Sequence, residues 1–187
     1  MTSGRRPRRA VPPGIVPLSP RRKWRAITLA TLLLVPGYWF LLNGLVSAAA
    51  GRGPNTGPLV AFGLALVPFV FVVLAFLSEH PRAPGAVLRA MALAVLVGIP
   101  VSALAADAVT GLVAGIGAGG IAALRADLAH DWKPRALAVL IVTAFVFVTL
   151  RTVSPVALLL APALPFTALG VADHLSERRR ENLAESR

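Results

Sequence analysis

Residues Val87 to Leu124 are almost unbroken apolar sequence, and their length constrains the fold more than any other feature of the chain. As one helix these 38 residues would rise roughly 57 Å, against a bilayer hydrocarbon core of about 30 Å. The stretch must fold back on itself, and Asp107, the one acidic residue within it, marks the bend. Its second half carries Gly111, Gly115 and Gly119 at four-residue intervals. On a helix these align as a smooth stripe that lets a second backbone approach closely, the usual means by which helices pack in lipid.

The rest of the chain agrees with a membrane setting. Hydrophobic residues make up 56% and charged residues 14%, against about 25% charged in soluble domains, and mean hydropathy is +0.74. The charges cluster at the ends and in short loops, and no polar stretch is long enough for a soluble domain. The absence of cysteine excludes disulfides, thiolate metal sites and cysteine nucleophiles.

Hydrophobic runs and turn signals predict an all-α polytopic bundle of six transmembrane helices, arranged as three hairpins. The spans are expected at about Ile27–Ala50, Leu59–Leu77, Val87–Ala106, Ala108–Leu124, Ala136–Val153 and Val156–Val171, the last broken by Pro162 and Pro165. Residues 1–25 are expected to form a disordered basic arm, because Pro7, Pro12, Pro13, Pro17 and Pro20 interrupt a run of arginines. Residues 26–172 form the transmembrane domain, and 173–187 a short charged tail that extends the last helix into water. Arg21-Arg22-Lys23-Trp24 before an apolar run resembles a secretory signal, but the run of 24 residues exceeds a signal core of about 7–15. The reading is therefore an uncleaved first span.

Charge fixes the orientation. With six spans and both ends cytoplasmic, every lysine and arginine except Arg52 and Arg151 falls on the cytoplasmic side. Treating 87–124 as one crossing would put Arg125, Lys133 and Arg135 opposite Arg82, against the positive-inside bias. The expected location is a bacterial plasma membrane. The N-terminal arm is expected to touch anionic headgroups. Nucleic acid is not an expected partner, since the arm has almost no aromatic residues.

Few residues carry chemistry. Gly115-x-Gly117-x-x-Gly120 has dinucleotide-binding spacing, but it lies inside a span without the preceding strand that motif needs, so helix packing is its reading and no cofactor is expected. Asp107 is expected to cap the fourth helix, the alternative being a carboxylate facing an outer cavity. Each cytoplasmic junction pairs an acid with a histidine: Glu79-His80, His130-Asp131 and Asp173-His174. If the hairpin bases converge, His80, His130 and His174 would share one patch able to bind zinc or relay protons; the plainer reading is ordinary interfacial polarity. The segments Glu79–Ala83 and His130–Ala136 echo each other weakly, as repeated hairpins would.

No paired carboxylates, Ser-His pair or histidine lies at depth, so the chain is not expected to be an enzyme. Two functions remain. One is an accessory or structural subunit whose glycine stripe docks a partner helix, from another subunit or a second copy. In size, span number and cytoplasmic placement of both ends, the chain also resembles the substrate-binding component of energy-coupling-factor vitamin transporters. That resemblance of architecture implies a bound small solute or lipid.

Overall fold

The computed structural model describes residues 18–51, 56–127, 130–152 and 161–185. Within them the chain is all-helical: α1 (Pro20–Ala49), α2 (Thr56–Leu77), α3 (Ala83–Ala105), α4 (Ala108–Ala123), α5 (Trp132–Thr152), a 3-10 turn (Ala161–Ala163) and α6 (Leu164–Glu185). Four of these, α1, α2, α3 and α5, are long and apolar enough to cross a membrane. α4 is apolar but has only 16 residues, a rise of about 24 Å.

The fold-back expected at Asp107 is a two-residue connection. α3 ends at Ala106, whose φ of 50° and ψ of 36° are left-handed, and whose N–H turns back to Ala103 O and Ser102 O. The Asp107 N–H also donates to Ser102 O at 3.1 Å, so the last carbonyls of α3 are satisfied before the chain reverses. Across the bundle, Arg151 of α5 donates to Ala105 O at 2.9 Å and lies over the Phe147 ring. A cation at the carboxyl end of α3 complements that helix's dipole.

α4 is the hub, because its small side chains let four helices reach it. Ideal Cβ atoms built on Gly111 and Gly115 would fall within 2.7 Å of backbone oxygens of α3, those of Gly98 and Ala94. One built on Gly119 would meet Ala90 O of α3 at 2.8 Å and the Phe71 ring of α2. Gly117 faces Val139 of α5, and Gly120 faces Phe166 and Leu169 of α6. The stripe is therefore filled by α3 of the same hairpin. This revises the expectation that it docks a helix from another subunit: the nearest chain able to follow it is the one two residues upstream. α1 and α2 form a second close hairpin, in which Gly63 approaches Leu41 N and Gly37 O.

Two apolar clusters fill the interior. The larger joins Ala30 and Leu34 of α1 with Val70, Phe71 and Leu74 of α2, Ile116 of α4 and Phe166 and Leu169 of α6. The smaller joins Tyr38, Val109, Val113, Val146 and Ala161, nearer the Asp107 end.

Three expectations change. First, residues 20–25 are not a disordered arm but the opening turns of α1. Pro20 stands at the first helical position, where the missing N–H costs nothing, and Lys23 is held by acids described below. Residues 1–17 lie outside the described residues. Second, the expected sixth span, Val156–Val171, is described only from Ala161 onward, where it begins as a 3-10 turn. Residues 153–160 lie outside the described residues, Pro162 sits in the 3-10 turn, and Pro165 stands in the first turn of α6, where proline is tolerated. The apolar part of α6, residues 164–172, rises only about 13 Å. Third, residues 173–185 continue α6, as expected of the tail, but Asp173 at its start is buried rather than in water.

Candidate functional site, a buried ion-pair network

The amino ends of α1, α3 and α5 and the carboxyl ends of α2 and α4 meet at one end of the bundle, joined there by the second half of α6. Five acids of that end converge, as the sequence anticipated for three of them, but on arginine and lysine rather than on histidine.

Arg135, in the first turn of α5, is the centre, with only 1% of its surface exposed. Its Nε donates to Asp173 Oδ1 at 2.8 Å and one Nη to Asp173 Oδ2 at 2.7 Å, a two-pronged pair. The remaining donors reach Leu124 O at 2.8 Å and Arg125 O at 2.7 Å. The guanidinium thus closes the carboxyl end of α4 and ties it to α5 and α6 at once.

Lys23 of α1, 6% exposed, approaches from the other side. Its Nζ donates to Glu177 and lies 3.1 Å from Asp127 Oδ2 and 3.7 Å from Asp173 Oδ2. Asp127 also lies 3.3 Å from Arg125 Nε, and Arg125 Nη is 4.0 Å from Glu79, which pairs with Arg22. Ser78, fully buried, accepts from the Arg125 N–H at 3.1 Å and so anchors the loop after α4 to the end of α2. Asp131, also buried, pairs with Arg180 of α6. Each of the five acids has a cationic partner.

The histidines are peripheral. His80 accepts a hydrogen bond from the Arg82 N–H at 3.1 Å. Burial, and then the positive charges of Arg89, Arg125 and Arg135, hold its imidazole below the usual histidine range, favouring the neutral form that this bond needs. His130 and His174 are exposed. Among the described residues no three histidine, aspartate or glutamate side chains are disposed to hold a metal ion.

Asp107 lies at the opposite end and caps α4. Its carboxylate accepts from the Val109 N–H at 3.0 Å, the Thr110 N–H at 2.9 Å and the Thr110 hydroxyl. Both oxygens are committed to the helix start. Replacing Asp107 with alanine is expected to destabilise the protein by about 1 kcal/mol, with Asp107→Asn losing less, read as thermal melting in detergent. Equal melting of Asp107→Ala and the parent would show that the cap does not hold the hairpin.

Sequence reasoning counted Lys23, Arg125 and Arg135 only as orientation charges and did not single out Asp127 or Glu177. One signal was available. A cation in the first turn of a helix opposes that helix's own dipole, so Arg135, three residues into α5, requires an anion from elsewhere.

The chain matches no protein-family model, and no curated protein and no solved structure shows significant similarity to it.

Proposed function

We propose that this protein crosses a bacterial plasma membrane six times, with the ion-pair network on the cytoplasmic side, and acts as a non-catalytic subunit of a larger membrane assembly. The basic N-terminal arm contributes an affinity for anionic headgroups. The carrying observation is an unfilled apolar groove of about 720 Å³ between α2 and α3. Its walls include Leu64, Pro68, Met91 and Ile99, its floor is the Gly98–Gly111–Gly115 seam, and among the described residues no charged side chain lines it. Along α3 only Ala83, Ala86, Ala90 and Ala105 are buried, while Leu88, Leu96, Ile99 and Leu104 are bare.

A photocrosslinker at Ile99 should capture one specific membrane polypeptide from native membranes, while one at Leu140 of α5 captures none. Recovery as a lone chain in mild detergent would overturn the reading. The same groove also suits an apolar small molecule, the transport-subunit alternative; a stoichiometric ligand in place of a polypeptide would select it. Because the chain has no cysteine, single substitutions report topology directly. Arg82→Cys and Lys133→Cys should label only from the cytoplasmic side, and Ala106→Cys only from outside. Labelling of all three from one side would sink the six-crossing arrangement.

A further inference from the structure

A second groove, of about 700 Å³, lies between α5 and α6 and has a different character. Leu137 and Ile141 of α5 face Leu164, Ala168, Val171 and Leu175 of α6 across it. Leu137, Ile141, Val171 and Leu175 are exposed, so no other helix of the described chain covers them.

Its depth limits what fits. The lining runs from Pro134 to Val142 on α5, a rise of about 12 Å, and its apolar part from Leu164 to Leu175 on α6, about 17 Å. Half of a hydrocarbon core is about 15 Å. The lining among the described residues is thus about as long as one leaflet, the reach of an acyl chain.

Its mouth is basic. Ser176, Arg179 and Arg180 line the end beside the ion-pair network, and no acidic residue lines the groove anywhere. Arg180 is shared with Asp131. Arg179 is exposed and makes no ion pair among the described residues. An apolar slot of leaflet depth under unneutralised arginine matches an amphiphile with an acyl chain and an anionic head.

We propose that the α5–α6 groove seats one anionic glycerophospholipid of the cytoplasmic leaflet, its acyl chain along Leu137, Ile141 and Val171 and its phosphate on Arg179. The site rests on the cytoplasmic placement of the network, which the cysteine labelling reads separately, and does not depend on the α2–α3 partner.

Native mass spectrometry of the full chain in mild detergent, titrated with phosphatidylglycerol or phosphatidylcholine, tests this. One phosphatidylglycerol should be retained in preference to phosphatidylcholine. Arg179→Glu should weaken that adduct by roughly fivefold or more, the scale of one cation at a charged interface, while Arg178→Ala leaves it unchanged. Ala168→Trp, which fills the slot but keeps every charge, should also remove it. A photoactivatable phosphatidylglycerol should crosslink to peptides of α5 and α6. Equal retention of the two lipids, full retention in Arg179→Glu or Ala168→Trp, or a protein segment captured in the groove instead would each overturn the proposal.

Discussion

Substituting Arg135 with methionine should destabilise the protein by about 3–5 kcal/mol, the usual consequence of removing one partner from a buried ion pair. The side chain is almost wholly enclosed, and its loss leaves three kinds of acceptor behind. Asp173 would keep only Lys23, 3.7 Å away. The carbonyls of Leu124 and Arg125 would lose their donors at 2.8 and 2.7 Å, and each buried unsatisfied group costs about 1–3 kcal/mol. Arg135→Lys should fall between, since an ammonium keeps the charge but cannot make the two-pronged contact while reaching both carbonyls. The double variant Arg135→Met, Asp173→Leu removes both charges and should recover part of the loss, because apolar replacement of a whole buried pair is often near neutral. Recovery is incomplete because the two carbonyls stay unpaired. Thermal melting of the parent, Arg135→Met, Asp173→Leu and the double variant in one detergent gives the coupling directly. If Arg135→Met melts with the parent, the network does not hold the helix ends together.

The same network shows where reading the sequence stops. α4 was legible almost to the residue, expected at Ala108–Leu124 and found at Ala108–Ala123, because its start is written locally in Asp107 and its end in the polar residues that follow. Lys23 was not legible. It stands among prolines and arginines that read as a solvated arm, and its burial depends on Asp127, Asp173 and Glu177 from the other half of the chain. Nothing within several residues of Lys23 encodes that encounter. The start of the last helix was hidden for a related reason. Hydropathy averages over Pro162 and Pro165 and cannot show the 3-10 turn at Ala161–Ala163 that precedes the helix beginning at Leu164. The acid–histidine junctions were read by proximity in sequence, whereas the acids are held by cations from other helices. The period of the glycine stripe likewise fixes a smooth face but not what covers it. Ala90, Ala94, Gly98 and Ser102 repeat at the same four-residue interval on α3, and this matching period on the preceding helix was the available clue.

That matched seam makes the second large prediction specific to position. Gly115→Ala would set a Cβ 2.5 Å from Ala94 O and 3.0 Å from Gly98 Cα. Both are backbone atoms, so no rotamer change relieves the contact and α3 must move away from α4. Gly111→Ala meets Ser102 Oγ at 1.9 Å and Gly98 O at 2.7 Å. Adding Ser102→Gly removes the first clash but not the second, so rescue should be partial. Overpacking of this kind costs about 1–3 kcal/mol or more, which outweighs the gain of up to about 1 kcal/mol from replacing a helical glycine with alanine. Gly117→Ala should be milder, because the atoms it meets belong to the Val139 side chain, on a different helix. Gly85→Ala, with nothing within 4 Å, should be neutral or slightly stabilising. Melting temperatures should therefore rank Gly85→Ala at or above the parent, then Gly117→Ala, with Gly111→Ala and Gly115→Ala lowest. A Gly115→Ala protein as stable as Gly85→Ala would mean that α3 does not lie against the stripe. The face would then be open to another chain, and the partner helix would belong on α4 rather than in the α2–α3 groove.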